Sequence, residues 1–336
     1  MSSFAIRLGG AALACLAIAT GAQAGTLGLS NYAVSFTAAL PGVPEASAIT
    51  YNWDRNSLMV IGDEGATQEY GLDGKVYPGV FDYLGGTYFN DPEGITYIGN
   101  GEYVIAEERT TRIAKVGIAN AVDTGSGIRY IFSAPTPEYS YVVSGGPNWG
   151  NSGLEGISYD PITGGFFGVK QENPQGVFFI SKDFGTPNSA GSTTSLFDPA
   201  LLGLTTLSDI ATFSTVSAFQ GTDIAENLLV LSTSSMLLLE VSRSGDVLSS
   251  FDLNGILGTT GFTINTIEGV TFDNAGNIYL AAELGEGAGG GTSALIALAL
   301  QQQAAVPEPA TWAMMIAGFG LVGGTLRRRA RTVSFA

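Results

Sequence analysis

Five short segments of this chain are near copies of one another, and their spacing limits what it can fold into. They are Ser47–Tyr51 (SAITY), Glu93–Tyr97 (EGITY), Glu155–Tyr159 (EGISY), Ser208–Thr212 (SDIAT) and Glu268–Phe272 (EGVTF), recurring after 46, 62, 53 and 60 residues. A turn rich in Gly, Asn and Asp follows most of them. Then comes a second apolar run: Leu58–Glu64, Tyr103–Glu108, Phe166–Glu172, Leu228–Ser234 or Ile278–Glu283. Third runs follow at Arg112–Val116, Gly176–Ser181, Met236–Ser242 and Ser293–Leu300, and the clearest fourth is Asp246–Leu253. Short β-rich runs joined by such turns read as hairpins. Four antiparallel strands repeated at this period predict an all-β chain, a β-propeller of five four-stranded blades. A generic β-sandwich would leave the fivefold opening unexplained. The stretch Ser181–Leu207 is long enough for a sixth, degenerate blade. Asn31–Ala38 is strand-like and is expected to complete the last blade, closing the ring and removing its exposed edges.

The two ends read as addresses. Residues 1–24 carry Arg7, an apolar run from Ala11 to Ala22 and the small-x-small site Ala22-Gln23-Ala24, the pattern of a cleaved signal peptide. Cys15, the only cysteine, falls within it. The propeller is expected over 25–300, a linker over 301–306 and a separate element over 307–331. That element holds Pro307-Glu308-Pro309, then 17 uncharged residues from Ala310 to Leu326, then Arg327, Arg328, Arg329 and Arg331. Seventeen residues is the lower limit for a transmembrane helix, and the arginines would hold its end in the cytoplasm.

Composition narrows the chemistry. The chain has no histidine, which removes imidazole bases and the commonest zinc ligands. Its 30 acidic residues include 29 between Gly25 and Val306, where only nine of the 14 basic ones lie. So acidic a surface excludes nucleic acid as a partner and offers oxygen ligands to hard cations. Gly285–Gly290 matches G-x-G-x-x-G, but a strand run follows it, so it indicates no dinucleotide site.

The stretches "DPEGITYIGNGEYVIAEERTTRIAKV", "LEGISYDPITGGFFGVKQENPQGVFFI", "LLVLSTSSMLLLEVSRSGDVLSSFDL" and "IEGVTFDNAGNIYLAAE" resemble the SdiA-regulated family, the YjiK/CarP-like propellers. The resemblance runs from Ser47 to Leu300. It implies a secreted or periplasmic propeller with a calcium connection and no assigned reaction. Pro307, Glu308, Pro309 and Trp312, with Arg327, Arg328 and Arg329, resemble a PEP-CTERM sorting signal. That resemblance implies transient inner-membrane anchoring, cutting by an exosortase-type enzyme and release at the cell surface or into the extracellular matrix.

In a propeller the first strand of each blade lines a central tunnel. Glu93, Glu155 and Glu268 open that strand in three blades, with Ser47 and Ser208 in the other two, so the glutamates are expected to converge at the tunnel mouth. At about 6 Å and an effective dielectric near 20, each pair repels by roughly 3 kcal/mol. A hard cation, Ca²⁺ ahead of Mg²⁺, would relieve this; alternatively each glutamate accepts backbone N–H bonds from the next blade. The second strands end in two further columns, Asp63, Glu107, Gln171 and Glu283, then Glu64, Glu108 and Glu172. One column could join the mouth, and solvation or a salt bridge is the default for each residue. Trp53, Trp149, Phe81, Tyr83, Tyr88 and Phe89 could line a sugar-binding face, but read mainly as packing between blades. The function expected is a non-enzymatic, calcium-binding surface or matrix propeller with exopolysaccharide as a candidate partner. The alternative is a calcium-dependent hydrolase, lactonase- or phosphoesterase-like, acting at the tunnel mouth.

Overall fold

The computed structural model describes residues 25–83, 89, 91–123, 128–132, 136–143, 149–285, 293–301 and 319. The first strand, β1 (Tyr32–Leu40), is set aside by the chain until the end. Blade one is β2 (Ala46–Asn52), β3 (Ser57–Gly62), β4 (Ala66–Gly71) and β5 (Val76–Tyr83). Blade two is β6 (Pro92–Gly99), β7 (Glu102–Glu107) and β8 (Arg112–Asp123); the far half of β8 pairs with β9 (Ile128–Phe132) and its near half with β10 (Ser140–Val142). Blade three is β11 (Leu154–Asp160), β12 (Gly165–Lys170), β13 (Gly176–Lys182) and β14 (Gly191–Phe197). Blade four is β15 (Asp209–Thr212), β16 (Leu228–Ser232), β17 (Leu237–Val241) and β18 (Val247–Asp252). Blade five is β19 (Ile264–Phe272), β20 (Ile278–Leu284) and β21 (Ser293–Leu300), with β1 added antiparallel to β21.

The five inner strands contact one another in the order β2, β6, β11, β15, β19 and back to β2. The ring therefore has five blades. The stretch considered for a sixth is taken by β14 and a short 3₁₀ turn, Pro199–Leu202, because Asp198 caps that turn and turns the chain inward. β1 closes the ring as expected. Ahead of it, Thr26 Oγ1, Leu27 N and Gly28 N donate to the buried Glu240 carboxylate of blade four at 2.8, 2.7 and 3.3 Å. Asn227 Nδ2 and Ser249 Oγ also donate to it, at 2.9 and 2.6 Å. Five donors satisfy this carboxylate without a cation.

Five hydrophobic cores lie between blades, one per junction. Leu58 and Val60 face blade five, while Met59 and Ile61 face blade two. Leu228 and Val230 pack on blade three, and Leu229 and Leu231 on blade five. Because successive side chains point to opposite faces, a strand buried on both sides must be apolar throughout. Each such side chain contributes roughly 1.5–3 kcal/mol.

Why the inner strands repeat a glycine is a matter of approach. A Cβ on Gly156 would lie 2.4 Å from Asp209 Oδ1 and 2.6 Å from its Cα. One on Gly94 would lie 3.1 Å from Ile157 N, and one on Gly269 2.8 Å from Ile49 N. Two residues further on, a hydroxyl crosses to the next blade. Thr50, Thr96, Ser158 and Thr271 accept from the backbone N–H of Tyr97, Tyr159, Thr212 and Tyr51 at 3.1, 2.9, 2.9 and 3.2 Å. These bonds satisfy N–H groups on inner edges that have no strand beside them. The fifth junction departs from the pattern, since Ala211 has no hydroxyl. There Asp209, itself buried, accepts from Val270 N across the junction at 2.7 Å.

Among the described residues no helix is long and apolar enough to cross a membrane. Residues 1–24, and the sorting residues Pro307, Glu308, Pro309, Trp312, Arg327, Arg328 and Arg329, lie outside the described residues.

Candidate metal centre at the tunnel mouth

Four of the five motif openings sit on a β-bulge. The register slips between Ala46 and Ala48, Pro92 and Gly94, Leu154 and Gly156, and Ile267 and Gly269. Ser47, Glu93, Glu155 and Glu268 are therefore the extra residues of their strands. A bulge re-aims the side chain it carries, and the electrostatics show where the three glutamates end up. The Glu93 carboxyl is pushed up to about 9, first by burial and then by Glu268, Asp91 and Glu108. Glu155 is pushed up to about 11 by burial, then by Glu93, by a hydrogen bond with Glu108 and by Glu268. Glu268 rises to about 7, chiefly from burial and then from Glu283. All three sense a common mouth.

They are not equivalent, however. The tightest group is Asp91, Glu93 and Glu108, whose carboxylate oxygens lie within 4.8 Å of one another. At that distance and an effective dielectric near 20, each pair of charges repels by roughly 3.5 kcal/mol. Glu155 joins from blade three through its hydrogen bond to Glu108, with the proton on Glu155, since the bond raises its pKa and lowers that of Glu108. Its other oxygen, Oε1, is buried and has no partner, and the residue is only 8 % exposed. Glu268 lies toward blade five, where Asp63, Glu45 and Glu283 surround it. Asp63 is pushed up to about 6, by burial and then by Glu45, and its Oδ1 is also buried without a partner.

Local backbone explains the cluster. Asp91 holds a positive φ of 63° and its carbonyl accepts from Glu108 N at 2.8 Å, which draws the turn after β7 over the start of β6. Gly153 N donates to Glu108 Oε1 at 3.3 Å, and a Cβ on Gly153 would lie 2.2 Å from the Glu108 carbonyl oxygen. Blade three therefore presses Glu108 against the tunnel. Arg109 at the rim is ion-paired with Asp91. Lys170 is buried nearby, but its ammonium donates to the Glu172 and Pro174 carbonyls and lies 5.2 Å from the Trp149 ring centre. Burial pushes its pKa down.

The second-strand columns do not stay in register with these roles. Asp63 and Glu283 reach the mouth, whereas Glu107 of the same column is buried in a fork with Arg112, at 2.6 and 2.8 Å. Glu108 was expected to be solvated or salt-bridged; it is 4 % exposed, inside the carboxylate cluster. The two serine positions are used locally: Ser47 Oγ donates to the Glu45 carbonyl at 3.1 Å, and Ser208 Oγ accepts from Thr233 N at 3.0 Å. Spacing alone missed Asp91 and placed Glu108 only in a column that could join the mouth. Their one signal was acid on either side of the inner strand's start, Asp91 two residues before Glu93 and Glu108 in the Glu107-Glu108 pair. Of the aromatics, Phe89 is buried between blades one and two and Trp53 meets Tyr97 edge-on at 4.5 Å, in keeping with packing. Tyr88 lies outside the described residues.

The chemistry of the donor set is uniform: buried carboxyl oxygens, among which Glu93 and Glu155 stay neutral only by holding protons, and no sulfur or imidazole. Such a set fits a hard, oxygen-seeking divalent ion.

Comparison with known proteins adds the following. A model of the SdiA-regulated family matches residues 25–284, and one of the PEP-CTERM protein-sorting motif matches 305–329. Similar solved structures include the Cps50 (Swd1) β-propeller domain of Myceliophteria thermophila, at 11 % identity and TM-score 0.35, covering 74 % of this chain and 65 % of that one. The chain thus spans just under two thirds of the Swd1 structure. The glutaminyl cyclase of Myxococcus xanthus matches at 11 % identity and TM-score 0.48, over 81 % of this chain and 97 % of that one. A structural-genomics protein of unknown function from Bacteroides thetaiotaomicron matches at 12 % and 0.46, over 76 % and 59 %.

Proposed function

This chain belongs to the SdiA-regulated family, and from that premise we propose that it is a calcium-binding, non-enzymatic propeller of the cell surface or extracellular matrix. The sorting motif implies export and exosortase-dependent processing. On this reading the 310–326 segment anchors the chain in the inner membrane for a time, an exosortase-type enzyme cuts near Pro307, and the propeller is released among exopolysaccharide.

One observation carries the calcium reading: Glu155 Oε1 is buried without a partner beside three other carboxylates. A buried acceptor left unmatched costs on the order of 1–3 kcal/mol, and a bound cation would remove that cost and the repulsion together. Asp91, Glu93, Glu108 and Glu155 would hold the ion, with Glu268 at its edge. Calcium tolerates irregular, many-oxygen coordination better than magnesium does. The non-enzymatic reading rests on the donor set, which offers no imidazole, thiol or free amine as a nucleophile beside the carboxylates that would hold the ion.

The test has two parts. Metal analysis of the purified protein after dialysis against equimolar Ca²⁺ and Mg²⁺ should recover calcium, and Glu155→Gln should lose most of it. Wild type without calcium after that dialysis ends the metal reading, and calcium-dependent turnover of a lactone or phosphoester ends the non-enzymatic one. Mass spectrometry of released protein should find a C-terminus near Pro307; an intact Arg327–Ala336 tail on mature surface protein contradicts the sorting route.

A further inference from the structure

About 10 Å along the inner strands from the glutamates, three residues at 3.3 Å each, the tunnel holds a second and different site. A cavity of about 20 Å³, open to solvent, is lined by Thr50, Thr96, Ser158, Ala211 and Thr271, one residue from each blade. Trp53 and Thr215, in connections that follow the first strands, place its opening at the face opposite the acidic mouth. No charged side chain lines it.

Each ring hydroxyl already accepts an N–H from the next blade. Its oxygen is thereby fixed in place while its proton stays available. Ser158 can pass its proton to Thr212 Oγ1 at 3.1 Å. Among the described residues, the hydroxyl protons of Thr50, Thr96 and Thr271 have no acceptor within the protein, although these residues are only 6, 4 and 9 % exposed. Three fixed hydroxyls thus line one cavity together with the half-buried Trp53. An anion would find three donors but no countercharge, inside a domain with a large acidic excess. A cation would find no carboxylate. What remains is an uncharged, oxygen-bearing group that can use an aromatic edge, the chemistry of a sugar.

We propose that this end of the tunnel binds the terminal unit of a neutral sugar, one hydroxyl oxygen entering the ring of hydroxyls and accepting from two of Thr50, Thr96 and Thr271, with the sugar ring outside it against Trp53. This deepens the matrix reading above by naming the contact. It shares no residue with the cation mouth, so the two can fail separately.

Calorimetric titration of the purified protein with maltose and with cellobiose tests it, with sodium glucuronate and sodium chloride as the charged arms. A neutral disaccharide should bind, with or without chelator. Trp53→Ala and Thr96→Val should each weaken binding roughly tenfold or more, about the effect of one good contact. Thr96→Ser, which keeps both the acceptor and the proton, should bind like wild type and guards against a folding artefact. The proposal is overturned if neither disaccharide binds and solvent alone fills the ring. It is equally overturned if glucuronate or chloride binds better than both, or if Thr96→Ser loses binding as fully as Thr96→Val.

Discussion

The two ends of the tunnel are made by the same five strands, three residues apart, and they are finished in opposite ways. At the waist the polar side chains first do a structural job: four hydroxyls and one carboxylate each cross a junction to a backbone N–H, and only the protons of Thr50, Thr96 and Thr271 are left over. At the mouth the carboxylates mostly face each other, and two buried oxygens face nothing. Both ends are buried and both are polar, so burial alone does not mark function. What marks it is polarity that the protein does not use. Asp209 and Glu155 make the contrast within one pair of blades. Burial pushes both pKa values up, but Asp209 accepts two N–H bonds whereas Glu155 has one oxygen idle.

The sharpest way to break this comparison is pH in the presence of chelator. The folded pKa values of Glu93 and Glu155, about 9 and about 11, lie above the ordinary glutamate value of 4.5. The native state then holds protons that the unfolded chain releases, so stability is full at the acid end of the window and falls as pH rises above 4.5. One such group sets a slope of about 1.4 kcal/mol per pH unit. One such group amounts to about 4 kcal/mol over three pH units, so chelated protein should melt roughly 8 to 16 °C lower at pH 8 than at pH 5, and saturating calcium should flatten the difference. A chelated melting point that rises over this range would show that the mouth carboxylates are stabilised by the protein itself.

The waist is tested next by Gly156→Ala, which drives a methyl into Asp209. It should cost about 3 kcal/mol and lower the melting temperature by roughly 6 to 12 °C, leaving the calcium response in place. A variant as stable as wild type would mean that blades three and four can part without penalty. Thr96→Val is milder. It strands the Tyr159 N–H and should cost about 1–2 kcal/mol, read from denaturant midpoints. A value near zero would show that water replaces the hydroxyl. The smallest effect is at the mouth. Calcium at ten times its Kd adds about 1.4 kcal/mol, a rise of roughly 3 to 6 °C that Glu155→Gln should largely abolish. In chelator that variant should melt no lower than wild type, since Glu155 is already protonated there and glutamine copies its neutral form.

How much of this could be read from the chain follows from which forces are local. The blade count was legible because the glycines of EGI sit where the next blade's backbone leaves no room for a Cβ, and that requirement repeats at Gly94, Gly156 and Gly269. Closure by the first strand was legible from its lone β pattern. The contact of Thr96 with Tyr159 was not, because a hydroxyl in a strand has no preferred partner until two blades face each other. Glu108 was hidden for a similar reason. Its place depends on a positive φ at Asp91 and on contact with Gly153 in another blade, neither of which leaves a period in the sequence. Glu107, one residue earlier, met Arg112 across its own hairpin, a pairing within reach of sequence spacing.

The way the ring is joined would have a mechanical consequence if, as proposed, the chain is held by its tail. Tyr32 pairs with Leu300, and Gln301 N donates to the Asn31 carbonyl at 2.8 Å, so the N-terminal segment enters at the corner where the tail departs. Because β21 lies between β1 and β20, a pull on the tail would load both of its ladders from their shared end. The grip of Glu240 on residues 26–28 lies beyond that corner, on blade four. On the proposed sorting route, tension would therefore draw β21 from between β1 and β20 while residues 26–28 stay moored to blade four, ready to re-form the blade if the tail is cut.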